Sequence, residues 1–249
     1  TGHMILLDEF VKLNVSKEFL DLFLVVIQLG AILAVVVIYW NKLIPLSIKH
    51  GLHISRRKCK MWVKIIVASI PAGVVGILWD DVFTKYFYNY QTVAIMLILV
   101  GVVFIIIERS NKNKIAKIDS IDDISYGQAF LIGVFQMIAA IFPGTSRSGS
   151  TIVGSLMLGI SRTAAAEFTF FLAVPAMFGG SAIKILKYSG GFNSAEVALL
   201  AIGMIVAFVL SIIAIKFLMS YIKKHDFKVF GWYRIILGIA VIGYFLATR

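Results

Sequence analysis

The amino-acid sequence predicts an all-α integral membrane protein: a polytopic helical bundle of about six transmembrane helices plus re-entrant helix hairpins, arranged as an inverted-topology repeat. Three observations predict it. Of the 249 residues, 60% are hydrophobic and 15% charged, with a mean hydropathy of +0.93, against the roughly 45–50% apolar share of soluble domains. The apolar residues gather in runs long enough to cross about 30 Å of hydrocarbon as helix. Lys and Arg gather in alternate loops between those runs.

Taken in chain order, the spanning runs are Leu22–Trp40, Met61–Trp79, Val93–Ile107, Phe168–Ile185, Val197–Leu218 and Ile235–Leu246. Two further runs, Ala129–Phe142 and Thr151–Ile160, are too short to span comfortably and are split by Pro143-Gly144-Thr145-Ser146-Arg147-Ser148-Gly149-Ser150. They read as one re-entrant hairpin with its polar tip inside the membrane. The loops carrying Lys42, Lys49, Arg56, Arg57, Lys58 and Lys60, then Arg109, Lys112, Lys114 and Lys117, then Lys223, Lys224 and Lys228 are expected to be cytoplasmic. Asp80–Tyr90 and Lys187–Glu196, with one Lys each, are expected to face outward. Trp40, Trp62, Trp79 and Tyr86-Phe87-Tyr88 mark interfaces, and Lys64 and Lys184, near span ends, are read as snorkelling.

Sliding the chain by about 147 residues lays Gly2, Ile5, Phe23 and Ala34 on Gly149, Ile152, Phe170 and Ser181, with apolar runs overlapping between them. Each half then holds a short apolar piece followed by three spans. Three is odd, so the second half enters the membrane in the opposite sense. The repeats are placed at 1–118 and 119–249, within one membrane domain. Symmetry implies that the first half also opens with a hairpin, of which only the returning arm, Thr1 to Leu7, is present. The competing account of the same residues is a vector scar at Gly2-His3-Met4.

The net charge of +11 would suit nucleic acid in a soluble protein, but the basic residues lie between apolar runs without interleaved aromatics, so topology explains them and no nucleic-acid partner is expected. Cys59 is the single cysteine, which leaves no intramolecular disulfide and no thiolate metal site. No leader pattern opens the chain, so the transmembrane segments themselves are expected to direct membrane insertion. No Ser-His-Asp order, His-Glu-x-x-His helix, Walker loop or dinucleotide fingerprint occurs.

Chemistry concentrates at the hairpin tip. Gly144, Thr145, Ser146, Arg147, Ser148, Gly149, Ser150 and Thr151 bring hydroxyls, glycines and a guanidinium to the start of a returning helix, whose first N–H groups lack partners. That is an anion cradle, and Arg147 adds a planar fork matched to phosphate oxygens. An arginine at membrane depth costs about 2.5–3.5 kcal/mol on insertion scales, which a bound anion would offset. The plainer reading has Ser146 and Ser148 capping the helix while Arg147 snorkels. The repeat places His3 beside the same tip, where it could transfer protons or attack phosphorus, or else is a terminal residue with no role. Gln28 and Gln136, polar within apolar runs, either bond between helices or line the cavity. Glu167 either supports the site or sits in the first turn of its helix, favoured by the dipole. Asp122-Asp123, ahead of the hairpin, are read as capping carboxylates. His50, His53 and His225 lie in basic loops and are read as solvated.

These residues resemble the undecaprenyl-diphosphate phosphatase family of bacitracin-resistance membrane proteins, whose signature Pro-Gly-x-Ser-Arg-Ser-x-x-Thr stands complete at Pro143–Thr151. The similarity also takes in Thr1-Gly2-His3-Met4, Val26–Gly30, Asp122-Asp123 with Tyr126 and Gln128-Ala129, and Ser161-Arg162 through Glu167-Phe168 to Pro175. It implies removal of the terminal phosphate of undecaprenyl diphosphate in the bacterial cytoplasmic membrane, at a site opening to its outer face. It also implies His3 and Arg147 as catalytic residues, and Thr1, Gly144, Ser146, Ser148 and Thr151 as binding the diphosphate. Gln28, Gln136 and Glu167 would stand in support, with Mg²⁺ or Ca²⁺ as cofactor and room for a homodimer. The departure from the family lies at the beginning, where a Glu-x-x-x-Glu-rich helix and Pro-Val-Ser-Ser are expected to precede Thr1; those carboxylates would be the metal-linked ones and a serine there a candidate nucleophile. A chain starting at Thr1 is therefore expected to be inactive. Without the motif, a secondary transporter or lipid flippase with an anion site between inverted repeats would be the first reading.

Overall fold

The computed structural model describes residues 15–47, 53–112 and 114–248. In order, these form α1 (Lys17–Ile38), α2 (Trp40–Leu43), a two-residue strand pair β1 (Leu46–Ser47) and β2 (His53–Ile54), α3 (Arg56–Phe87), α4 (Tyr90–Ser110), a 3-10 turn (Ile121–Asp123), α5 (Tyr126–Ile141), α6 (Arg147–Met157), α7 (Arg162–Lys187), α8 (Ser194–Ile222) and α9 (Lys228–Thr248). Six of them, α1, α3, α4, α7, α8 and α9, are long and apolar enough to cross a membrane. The chain is a polytopic α-helical membrane protein. The returning arm expected at Thr1 to Leu7 lies outside the described residues, as does His50.

The described residues form two compact units, one of 64–169 with 222–248 and the other of 15–63 with 170–221. The first unit holds the hairpin. Its main helix pair is α4 with α9, which run antiparallel: Phe104 meets Phe227 at one end and Tyr90 stacks on Phe245 at the other, with ring centroids 5.9 and 4.3 Å apart. Between them a Cβ on Gly101 would come within 2.6 Å of the Gly231 carbonyl, and one on Gly231 within 2.8 Å of the Gly101 carbonyl. Small residues thus bring two backbones together, the usual means of helix association in lipid, where burying apolar side chains gains little. In the second unit Phe19, Leu22 and Val26 of α1 form a core with Leu199, Leu200 and Met204 of α8. There α1 and α7 run antiparallel, since Ser181 donates to the Val25 carbonyl at 3.2 Å while Tyr39 packs edge-on against Phe171. Both senses are those that alternation of the basic loops demands.

Helices α5 and α6 form the hairpin. At 16 and 11 residues they reach about 24 and 17 Å, short of the bilayer core. Ser125 and Gln128 close a capping box on α5, and Ser120 caps the 3-10 turn before it. Capping is therefore done by serines, and Asp122-Asp123 do not cap α5 as expected: the Asp122 carbonyl instead accepts from Lys64 Nζ at 2.5 Å. Lys64 is buried and turned to that carbonyl, a correction to the snorkelling reading. An apolar start to a span says nothing about which polar backbone group faces it across the bundle.

The hairpin's mouth is closed by backbone and by charge. Lys117 and Ile118 N–H donate to the Gly159 carbonyl and Ser161 N–H returns to Ile118, a parallel bridge between Ile118 and Ile160. Beside it, the buried Glu108 carboxylate of α4 receives Nε and a terminal nitrogen of Arg162 on α7, and also accepts from Phe227 N–H at the foot of α9 at 3.0 Å. One carboxylate so joins the ends of three helices.

Candidate active site

The turn between α5 and α6 is built by packing on its neighbours. Phe142, extended as a residue before proline should be, packs on Phe87 at 4.8 Å. Gly144 has φ +92°, and a Cβ there would fall 2.5 Å from the Val93 carbonyl oxygen, so both conformation and space require glycine. Ser146 has φ +64°, a value ordinary side chains avoid. Such strain persists only where surroundings impose it, and it collects at functional sites. Ser146 is also the N-cap of α6, its Oγ accepting from Gly149 N–H at 3.2 Å and lying 3.2 Å from Ser148 Oγ.

Arg234 of α9 is what holds this backbone. One of its terminal nitrogens donates to the Thr145 carbonyl at 3.2 Å and reaches the Gly144 carbonyl at 3.5 Å. A second nitrogen lies so close to α6 that a Cβ on Gly149 would be 3.1 Å from it. Two half-buried guanidiniums, Arg147 on the first turn of α6 and Arg234 beside that turn, therefore share the tip with the helix's opening N–H groups. Their positive charge and the helix dipole add, and the sum suits a multiply charged anion. Thr145 is buried and its Oγ1 finds no hydrogen-bond partner among the described residues, a cost of about 1–3 kcal/mol of a kind that calls for an explanation in a native protein.

Of the sequence-predicted residues, the structure brings Gly144, Ser146, Arg147, Ser148 and Thr151 together around one turn. Ser148 is exposed and Ser146 half-buried, whereas Thr151 is 0% exposed. The Thr151 hydroxyl lies 3.1 Å from both the Arg147 and Ser148 carbonyls and 2.9 Å from Thr169 Oγ1 on α7. Gln136 is buried in α5. Gln28 belongs to the other unit, is exposed, and donates to the Leu24 carbonyl one turn back in its own helix. Glu167 is buried but does not sit in a first turn: α7 begins at Arg162, capped by Ser161, so Glu167 is past the reach of the helix end and the dipole reading falls. Thr1 and His3 lie outside the described residues. Among those described, no three His, Cys, Asp or Glu side chains come together to hold a metal ion.

Arg234 escaped the sequence reading because the last span was started at Ile235, just past it. The signal was there: α9 begins at Lys228, which puts Arg234 about 9 Å along the helix, and a cation at that depth points to function by default.

A family model described as bacitracin resistance protein BacA matches residues 1–240. The chain belongs to this family. Among its relatives, an undecaprenyl-diphosphatase of Desulfitobacterium hafniense is 62% identical over 247 residues, covering 99% of this chain and 89% of that protein. Undecaprenyl-diphosphatase 1 of Clostridium acetobutylicum is 60% identical over 246 residues, covering 99% and 90%. An undecaprenyl-diphosphatase of Enterococcus faecalis is 57% identical over 244 residues, covering 97% and 88%. The signature Pro143–Thr151 of this BacA-family chain is the turn whose carbonyls Arg234 holds.

Proposed function

We propose that this protein hydrolyses undecaprenyl diphosphate to undecaprenyl phosphate and inorganic phosphate, so recycling the lipid carrier of peptidoglycan synthesis and conferring bacitracin resistance. One observation carries the reading: a strained, glycine-pinned turn opens a helix inside a membrane domain, with two guanidiniums at its start, in a chain whose relatives are named for this activity. Cleaving the phosphoanhydride spreads negative charge over the leaving phosphate and the transferred group's oxygens, so catalysis is chiefly positioning and charge stabilisation. The α6 N–H groups and Ser146 and Ser148 hold the diphosphate oxygens, Arg147 takes up the developing charge, and Arg234 fixes the turn that presents them. His3 is the proposed acid, base or nucleophile, an activated hydroxyl or a water being the other candidates for attack on the outer phosphorus, and Thr1 is a further contact to the diphosphate.

The inverted repeat and the opening to the outer face draw support from the same geometry. The repeat mates, α1 with α7 and α4 with α9, run antiparallel, as an inverted repeat of 1–118 and 119–249 requires. The mouth of the hairpin, beside the basic loops, is sealed by the Ile118–Ile160 bridge and the Glu108–Arg162 pair, which favours a site opening to the outer face of the cytoplasmic membrane. Dependence on Mg²⁺ or Ca²⁺ belongs to the proposal. EDTA followed by metal readdition tests it. A homodimer is tested by the mass of the detergent-solubilised protein.

The deciding experiment is phosphate release from undecaprenyl diphosphate by the full-length protein in detergent, where no two sides exist and a flippase or transporter would leave the substrate intact. Arg147→Lys, which loses the fork, is expected to lower turnover by about 2–3 orders of magnitude, the size of effect seen on removing a preorganised donor. Near-parental turnover would refute the role given to Arg147.

A further inference from the structure

We infer that Thr169, a residue outside the signature, is a positioning residue for the diphosphate site, acting through Thr151; this rests on the phosphatase reading above. The inference comes from counting protons. Thr151 Oγ1 carries one, and two carbonyls of the first turn of α6, those of Arg147 and Ser148, lie 3.1 Å from it. Neither carbonyl can supply a proton, so the Thr151 hydroxyl serves them. Thr169 Oγ1, 2.9 Å away, is then the donor in the contact between the two hydroxyls. The reverse assignment would strip both carbonyls of this bond and leave the Thr169 proton without an acceptor among the described residues. Both threonines are buried, at 0% and 5% exposure, so water cannot substitute for either.

The result is a directed chain from Thr169 through Thr151 to the backbone of Arg147 and Ser148. It ties the residues that meet the diphosphate to α7, a helix whose own start is fixed by Ser161 and by the Arg162 pair with Glu108. A hydroxyl that back-bonds to carbonyls three and four residues earlier loosens and bends a helix turn when it acts alone. A second hydroxyl donating to it from a neighbouring helix sets which way that turn leans. Arg147 and the first N–H groups of α6 then stand where the anion's oxygens arrive, a placement to which rate is sensitive at the scale of an ångström. Thr169 acts through Thr151, so its loss is expected to act on turnover more than on affinity.

The test is a kinetic comparison in the full-length protein. Thr169→Val keeps the shape and removes the donor; kcat is expected to fall about tenfold, the equivalent of one lost hydrogen bond, while KM changes less than about twofold. Thr169→Ser, which restores the hydroxyl, is expected to return kcat to within about twofold of the parent, with Thr169→Cys, a weak donor, between the two. The double variant with Thr151→Val is expected to be no slower than Thr151→Val alone, because the two act as one unit. Parental kcat in Thr169→Val, a Thr169→Ser as slow as Thr169→Val, or losses that multiply in the double variant would each overturn the assignment. Should Thr169→Val not fold, the ranking of Ser above Cys decides the matter. A parent that releases no phosphate overturns the phosphatase reading itself, and this inference with it.

Discussion

Replacing Arg234 by methionine tests how the turn is held. The side chain reaches two carbonyls, Thr145 at 3.2 Å and Gly144 at 3.5 Å, and the second distance is at the limit of a hydrogen bond. One good bond from a charged donor is therefore at stake, together with a weak one. A hydrogen bond to a charged group contributes about 1.5–3 kcal/mol. If the turn must be held to present its donors, that energy appears in the barrier, and at about 1.36 kcal/mol per factor of ten it corresponds to roughly a 10- to 150-fold loss of kcat. Stability is expected to change less, because methionine also removes the cost of a cation at depth, about 2.5–3.5 kcal/mol on insertion scales. Arg234→Lys retains charge but presents no fork, so it is expected to fall between parent and Arg234→Met. Phosphate release measured over a range of undecaprenyl diphosphate concentrations separates kcat from KM. Parental values of both in Arg234→Met would refute the claim that this guanidinium holds the catalytic turn; a thermal midpoint that collapses in step with activity would show a purely structural role.

Three other outcomes are expected. Gly144→Ala should destabilise by about 2–5 kcal/mol, combining the left-handed penalty of about 1–2 with the overlap against the Val93 backbone of about 1–3, and should abolish turnover; thermal unfolding in detergent reads the first and phosphate release the second. Glu108→Gln should lower stability by about 1–3 kcal/mol, less than the 3–5 of a fully buried pair, since Arg162 is 35% exposed and can rehydrate; it should leave the N–H of Phe227 an acceptor, and its effect is read as a lower thermal midpoint. In the loop between α8 and α9, burial pushes the Asp226 carboxyl up, but the side-chain and backbone hydrogen bonds of Lys228 and the charges of Lys228 and Arg162 outweigh it and hold it below the usual carboxylate value. A depressed folded value means stabilisation that is present above the unfolded value, near about 3.9, and lost as pH falls through the folded one. The thermal midpoint of Asp226→Asn should therefore lack that part of the parent's decline on acidification.

Much of the fold is legible in the sequence alone. The six spans and the short hairpin follow from run length, because a helix in lipid must satisfy its own backbone and so announces itself as an unbroken apolar stretch of a given size. The tip was legible for the converse reason. Hydroxyls, glycines and Arg147 between two short apolar arms have no place in hydrocarbon unless they face something polar. Boundaries were less legible: α3 begins at Arg56 and α7 at Arg162, well before the apolar runs that mark them, since first turns that carry charged residues give no hydropathy signal. That displacement is what put Glu167 in a first turn it does not occupy.

What the sequence determined by itself is the class of the protein and the chemistry of one loop, both of which are properties of neighbours along the chain. Which distant side chains meet that loop was decided only in three dimensions: Arg234 on the Gly144 and Thr145 carbonyls, Thr169 on Thr151, Lys64 on Asp122, Glu108 on Arg162 and Phe227. The physical reason is that in lipid the packing of helices is selected by close approach at small residues and by a few polar contacts, not by an amphipathic stripe. Those contacts join positions about 20 to 120 residues apart, and nothing in the local pattern around either partner names the other.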